Sequence, residues 1–438
     1  MENLTRVLHH PERYSGNPIL TGTQDWEKWV IGVNGRSVIH DPDSQHFRMW
    51  YGGYLIDEGY PRGILFKVCY AVSPDGVHWR RPELGQVEWG GSRKNNILRW
   101  GQNWMRRPNV IEDPKDPDPK RRFKMTYVDI LEGKTAIAKG YSEDGIHWRL
   151  NADGKPWFRT SHNANLLGWD PHPRQYVLYV RMPGFPDSVG RSTSSDFITW
   201  SEPQKVLTPE LEEGKHFTGL AAFFYEDLYL GWLWVFYGRR SADAEIVMSR
   251  DGIHWQRISP EKFFFPRGEP GSWDDQRILP VAPVVHQDRI WIYYSGENLI
   301  HHTLETLKRA NSGWEEDGRR MQRAIGLATL RLDGFISLQA EKQAGRLTTK
   351  AVTIPGASLF VNADVSGELD VELLDEQGRP IPGYAAVDCI PIRSDSVRHS
   401  VRWKDFSSLE DLRGKTVKLR FWLREGHLYS FWFEKQQR

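Results

Sequence analysis

The sequence predicts an all-β protein, a five-bladed β-propeller followed by a small β-sandwich, on three observations. A heptad recurs as Ser73-Pro74-Asp75-Gly76-Val77-His78-Trp79, Ser142-Glu143-Asp144-Gly145-Ile146-His147-Trp148 and Ser249-Arg250-Asp251-Gly252-Ile253-His254-Trp255. A weaker copy runs from Ser194 to Trp200 and a degenerate fifth from Arg331 to Ile336, and the spacing of roughly 50 to 80 residues suits propeller blades with loops. An alternating apolar strand precedes each copy, over 47–51, 123–127, 176–180, 233–237 and 290–294. The composition is turn-rich and aromatic, with 20 Trp, 16 Tyr, 19 Phe, 39 Gly and 26 Pro against 7 Met.

Each element of a repeat has a physical reason. In the heptad, Asp accepts bonds from nearby backbone N–H groups, Gly takes positive φ, and the apolar-x-Trp tail starts a returning strand. A shorter apolar strand and a polar turn precede the alternating strand, as at Asp41-Pro42-Asp43-Ser44 and Asp170-Pro171-His172-Pro173. The unit therefore reads as four strands, A to D, and a radial array of five such sheets protects its edges. The heptad His, present in the first, second and fourth repeats and replaced by Thr199 in the third, is expected to pack on a strand. Beyond residue 335 the heptad stops and short strands such as 369–374 and 417–422 begin, so the propeller is expected over 1–335 and a β-sandwich over 336–438, about 100 residues.

Lys+Arg number 58 and Asp+Glu 57, for a net charge of +1, which argues against a nucleic-acid partner. No run is long and apolar enough to span a membrane. The polar stretch Met1–His10 lacks an apolar core, so a cytoplasmic location is expected, or a secreted or periplasmic one had a signal been removed. Cys69 and Cys389 show no metal or redox spacing. No nucleotide-binding glycine loop, Gly-x-Ser-x-Gly elbow or zinc motif is present. The sequence requires no cofactor and no metal, a structural cation such as calcium staying open, and it leaves the oligomeric state undetermined.

Blade topology sorts the acids. Those in A-to-B turns (Asp41, Asp113, Asp170, Asp288) and in the heptads are expected to be structural. Residues just before strand A or just after strand B share one face: Asn34, Arg36, Arg106, Arg107, Asn109, Asp129, His162, Asn163, Asn165, Arg181, His216, Arg239, Arg240, Asp274, Asp275, Arg277, Glu297 and His301. Glycoside cleavage needs one acid to protonate the leaving oxygen and a second carboxylate as nucleophile or base. Asp129 leads, because the aligned places hold Gly53, Met182, Arg239 and Gly296, so the repeat itself requires no acid there. Glu297, Asp274 and Asp275 follow. Trp26, Arg107, Asn109, His162, Asn165, Arg181, Arg240, Trp273 and His301 are the candidate contacts for a small carbohydrate or glycoside.

The heptads, Phe47-Arg48-Met49-Trp50-Tyr51-Gly52-Gly53, Asn95-Asn96-Ile97 and Gly271-Ser272-Trp273-Asp274 resemble the five-bladed hydrolases near glycoside hydrolase family 32, related to families 43, 68 and 130. The tail from Arg331 through Phe431 is similar to their C-terminal sandwich. The resemblance implies an axial pocket with acidic catalytic residues and exo-acting release of furanosides or pyranosides. It does not extend to fructosidase activity, since the Trp-x-Asn-Asp-Pro-Asn-Gly motif is absent and Arg107-Pro108-Asn109 stands where Arg-Asp-Pro belongs. A glycoside hydrolase or phosphorylase is the leading expectation; a non-catalytic carbohydrate-binding propeller and an interaction scaffold are the alternatives.

Overall fold

The computed structural model describes all residues except 58, 60–62, 100–104, 132–133, 151–157, 160–162, 239–240, 261, 300–303, 317, 357, 407 and 435–438. The protein is almost entirely β, with one α-helix, Leu304–Asn311, among the described residues. No described helix is long and apolar enough to cross a membrane. The chain divides into two compact units, one of Met1–His10, Val285–Ile290 and Leu330–Arg438, the other of Pro11–Val284 and Trp291–Thr329.

In the first unit, one sheet runs Thr5–Leu8, Ile336–Ala340, Thr416–Glu434, Ser358–Leu374, Asp395–Ser400, and Gly345–Thr348 and Val352–Thr353 also pair with Thr416–Glu434. Period-two alternation places Leu369, Val371 and Leu373 with Leu419, Phe421 and Leu423 on one buried face, closed by Trp403 and Tyr384. Two bulges, at Asn362/Ala363 and Val365/Glu368, bend the long central strand. Cys389 is a buried thiol here, as Cys69 is in the other unit.

The second unit repeats an antiparallel four-strand pattern. Its ladders are His46–Ile56 with Ile64–Ser73; Arg106–Glu112, Phe123–Leu131, Lys134–Ser142 and Trp148–Leu150; Ala164–Asp170, Gln175–Met182, Ser188–Ser194 and Gln204–Leu207; then Lys215–Tyr225, Leu228–Tyr237, Ser241–Ser249 and Trp255–Arg257. Arg277–Pro280, Arg289–Glu297 and Arg323–Arg331 follow, and the early strand Glu12–Arg13 adds to the last of these. Apolar faces pack between consecutive repeats, Trp50 and Tyr70 against Phe123 and Met125, then Ile137 against Leu178, then Tyr179 against Leu233.

The heptads explain that packing. In the first copy Asp75 Oδ1 accepts from the backbone of Val77 (2.9 Å) and His78 (2.8 Å), and the Trp79 indole donates to the Gly76 carbonyl (3.0 Å). The same carbonyl accepts from the Tyr293 hydroxyl (2.9 Å). The Gly145 carbonyl likewise takes the Trp50 indole (2.8 Å), that of Phe197 the Tyr141 hydroxyl (3.2 Å) and that of Gly252 the Tyr179 hydroxyl (2.7 Å). Each of these turns is thus clasped by an aromatic from another strand ladder. Left-handed φ is needed at this position, +74° at Gly76, and Phe197 adopts +62° where the third repeat lacks glycine.

Two sequence expectations change here. The heptad His does not pack: the side chains of His78, His147 and His254 are 81%, 74% and 86% exposed, each with Nδ1 2.7 Å from its Asp Oδ2. The Asp needs a partner on its free oxygen, and solvent is where the turn points. In the fourth repeat Tyr229 pairs with Ser249 as Phe123 pairs with Ser142, so Val235 rather than Arg239 aligns with Asp129.

Candidate active site

The first strands of the repeats begin irregularly, and that irregularity builds the site. Ladder register shifts between Arg106 and Asn109, between Leu166 and Gly168, and between Phe217 and Gly219; such bulges re-aim side chains. At the first of them Arg107 sits at φ +57°, which costs a non-glycine residue on the order of 1–2 kcal/mol. Asn109 offsets that strain. It is buried, its amide nitrogen donates to the carbonyls of Arg107 (3.1 Å) and Ala164 (2.8 Å), and its oxygen accepts from the N–H of Arg36 (3.1 Å) and Leu166 (3.2 Å). With four backbone partners it is a clasp joining three repeats.

Gly35, at φ +51°, lets these strands converge: a Cβ there would lie 1.6 Å from Asn109 Oδ1 and 2.9 Å from Asn165 Oδ1. Among the described residues the amide nitrogen of buried Asn165 has no partner, neither amide atom of buried Asn34 has one, and the Thr218 hydroxyl has none. Unsatisfied buried polar groups cost about 1–3 kcal/mol each, so their gathering at one place marks a locus built for something else than stability.

The charged groups converge beside them. Glu297, 1% exposed, accepts from Arg277 Nη1 at 2.8 Å, and Arg323 Nε stands 4.0 Å from its other oxygen. Arg323 Nη1 donates to the Tyr54 hydroxyl at 3.0 Å. Burial alone would raise the Tyr54 phenol, yet the guanidiniums of Arg323, Arg107 and Arg106 bring it below its ordinary value. Arg107 is pushed down to about 10, first by burial and then by Arg323 and Arg181, with Tyr54 and Glu297 acting the other way. Arg107, Arg181, Arg323, Tyr54 and Glu297 therefore share one electrostatic neighbourhood. Arg181 Nη2 donates to Asp187 (2.6 Å), a buried acid that also meets His216 Nδ1 at 3.1 Å and accepts from the Gly184 N–H at 3.2 Å.

Asp129 is buried on the face of Phe123–Leu131 that carries Met125 and Tyr127, beside Val128, whose ladder partner is Arg106. Asp274 and Asp275 are spent on anchoring. Asp274 Oδ2 accepts from Arg13 Nε and the Tyr294 hydroxyl, both at 3.1 Å, and Oδ1 from the Ser272 hydroxyl at 2.9 Å. Asp275 accepts from the Gly271 N–H (2.8 Å), Arg319 Nη1 (2.9 Å) and Gln276 Nε2 (3.3 Å). Both brace the loop before Arg277. Trp273 stacks on Tyr294 with ring centroids 5.7 Å apart, and the Trp26 indole donates to Asn96 Oδ1 at 2.8 Å, so both indoles are committed to packing. His162, Arg240 and His301 lie outside the described residues. Tyr54, Asp187 and Arg323 stand in this cluster and were not among the residues singled out from the sequence. Among the described residues no group of three or more His, Cys, Asp or Glu could hold a metal ion.

No protein-family model and no curated protein matches the sequence. Solved structures do resemble it. A β-1,2-mannobiose phosphorylase from Listeria innocua superposes with a TM-score of 0.51 at 10% identity, over 74% of this chain and 97% of that one, and that likeness is one of fold. A glycosyl hydrolase from Bacteroides ovatus (TM-score 0.49, 14% identity, 74% and 94% covered) and an N-acetylgalactosamine deacetylase from F. plautii (0.48, 14%, 76% and 97%) overlap less well.

Proposed function

We propose that this chain is a carbohydrate-active enzyme that cleaves a glycosidic bond where the first strands of the repeats begin. The observation that carries the reading is Glu297, a buried carboxylate between Arg277 and Arg323 in the field of Arg107, Arg181 and Tyr54. In this reading Glu297 faces the positive charge that develops at the anomeric carbon, as nucleophile or as base toward water, and Asp129 protonates the departing oxygen. The water's hydroxyl ends on the anomeric carbon and the aglycone leaves as an alcohol. Arg107, Arg181 and Asn165 contact the sugar, an exo mode of attack is the first to test, and a sugar is the first ligand class because the fold is shared with a protein that takes β-1,2-mannobiose.

The architecture belongs to the same proposal: a five-bladed propeller over 1–335 and a β-sandwich over 336–438. Its support is the series of turn clasps in which Tyr293 of the fifth repeat reaches Gly76 of the first, together with pairing of Glu12–Arg13 onto Arg323–Arg331. Thr5–Leu8 pairs with Ile336–Ala340, so the sandwich takes in an N-terminal strand. The test of function is a screen of aryl glycosides and β-linked oligosaccharides, with and without inorganic phosphate, on wild type, Asp129→Asn and Glu297→Gln. Turnover lost in both variants is expected. Unchanged turnover in both would defeat the site assignment, and glycan binding without turnover in the wild type would favour a binding module.

A further inference from the structure

The site gathers the guanidiniums of Arg107, Arg181, Arg277 and Arg323, and not all of them are hydrogen-bonded to a carboxylate among the described residues. Glu297 is engaged by Arg277 at 2.8 Å and Asp187 by Arg181 at 2.6 Å. Arg107 and Arg323 remain. Neither has a carboxylate within hydrogen-bond distance among the described residues; Arg323 Nε and Nη2 and Arg107 Nε are buried without a hydrogen-bond partner. Arg323 is 1% exposed. Arg107 keeps partial solvent contact although protein surrounds it, which is the condition of a side chain lining an interior recess. Arg107 is also held there at a cost, by the left-handed backbone of a bulge that Asn109 pins. Glu297, 4.0 Å from Arg323 Nε and already bonded to Arg277, leaves these buried donors of both guanidiniums unanswered, and desolvated donors call for a partner.

We propose that Arg107 and Arg323 seat an oxyanion of the substrate. A guanidinium presents paired donors in a planar fork that matches a carboxylate or a phosphate. The inference rests on the reading of this site as carbohydrate-active, and it deepens that reading. The expected substrate is an acidic sugar whose carboxylate lies on the Arg107 fork with Tyr54 and Arg323 at its edge. Inorganic phosphate offers the same chemistry from a different source, as a second substrate that would take the place of water.

Calorimetric titration of the full chain with D-glucuronate, D-galacturonate, inorganic phosphate and neutral methyl glucoside tests the seat without requiring turnover. Binding of a uronate but not of methyl glucoside places the oxyanion on the sugar and supports the inference; binding of phosphate alone assigns the seat to a co-substrate and overturns the acidic sugar. Arg107→Met is expected to weaken that binding by roughly 10- to 100-fold, the worth of a charge-assisted hydrogen bond, and Arg107→Lys by less. Thermal melting of both variants separates this loss from misfolding. Failure of every anion to bind the wild type, or equal binding by a folded Arg107→Met, overturns the inference. Neutral glycosides cleaved without anion binding would leave the enzyme reading standing and remove the oxyanion seat; anion binding without cleavage of any glycoside would do the reverse.

Discussion

The heptad turns and the beginnings of the first strands are both rich in Asp, Arg and His, yet they use them in opposite ways. In the turns every polar group is answered locally: Asp144 accepts from Ile146 and His147 (both 2.8 Å), from the Ser142 hydroxyl (3.0 Å) and faces the His147 ring at 2.7 Å. At the strand starts Asn34, Asn165 and Thr218 hold buried polar atoms with no answer, and Arg107 sits in strained backbone. Satisfied, repeated and exposed groups stabilise a fold; unsatisfied, unrepeated and buried ones are retained at the expense of stability and point to a ligand.

The contrast can be broken by exchanging the expected effects. Glu297→Gln should lower glycoside turnover by at least about 100-fold, within the range that positioned carboxylates supply, measured as kcat on whichever substrate the screen yields. Next comes Trp50→Ala, which removes a fully buried indole and its bond to Gly145; it should cost roughly 3–5 kcal/mol in denaturant unfolding. Asp144→Asn should cost less, about 1–2 kcal/mol, with turnover at the permissive temperature unchanged. Smallest of all, His254→Ala touches an 86% exposed side chain and should change stability by less than about 1 kcal/mol.

Acid sharpens the same comparison. Burial would raise the Asp144 carboxyl, but bonds from the backbone and ring of His147, from Ile146 and from Ser142 hold it down at about 2. Asp75, Asp196 and Asp251 are lowered by the same kinds of bond. A carboxyl whose folded value lies below its unfolded one contributes stability that is fully present above about pH 4 and is lost as pH falls toward 2. Unfolding midpoints measured from pH 5 to pH 2 should therefore drop over that window, and the drop should shrink in Asp144→Asn. An equal drop in the variant would show that the turns are not its source.

Much of the scaffold was legible because it repeats. Three near-identical heptads marked the repeats, and the role of their Asp residues followed from turn chemistry. The clasp between turns was not legible: Trp50, Tyr141, Tyr179 and Tyr293 meet the turn carbonyls only across neighbouring repeats, far away in sequence. The fourth repeat slipped because its alternating strand extends back to Leu228, past the stretch where its pattern is most evident. At the candidate site, position relative to the strands singled out Glu297, Arg107 and Arg181. It could not separate them from Asp274, Asp275 and Asn109, whose partners Arg13, Tyr294, Arg319 and Leu166 are set by tertiary contact. Tyr54 stayed hidden because it reads as one more apolar residue of a strand, and only three arginines from elsewhere in the chain change its chemistry.

The most direct measurement is turnover of one cleaved glycoside by Glu297→Gln and Asp251→Asn side by side, each shown folded by its melting curve. Loss of about 100-fold or more in the first with unchanged kcat in the second is the expected result. Undiminished activity in Glu297→Gln, or a comparable loss in Asp251→Asn, would contradict the placement of the chemistry at the strand starts.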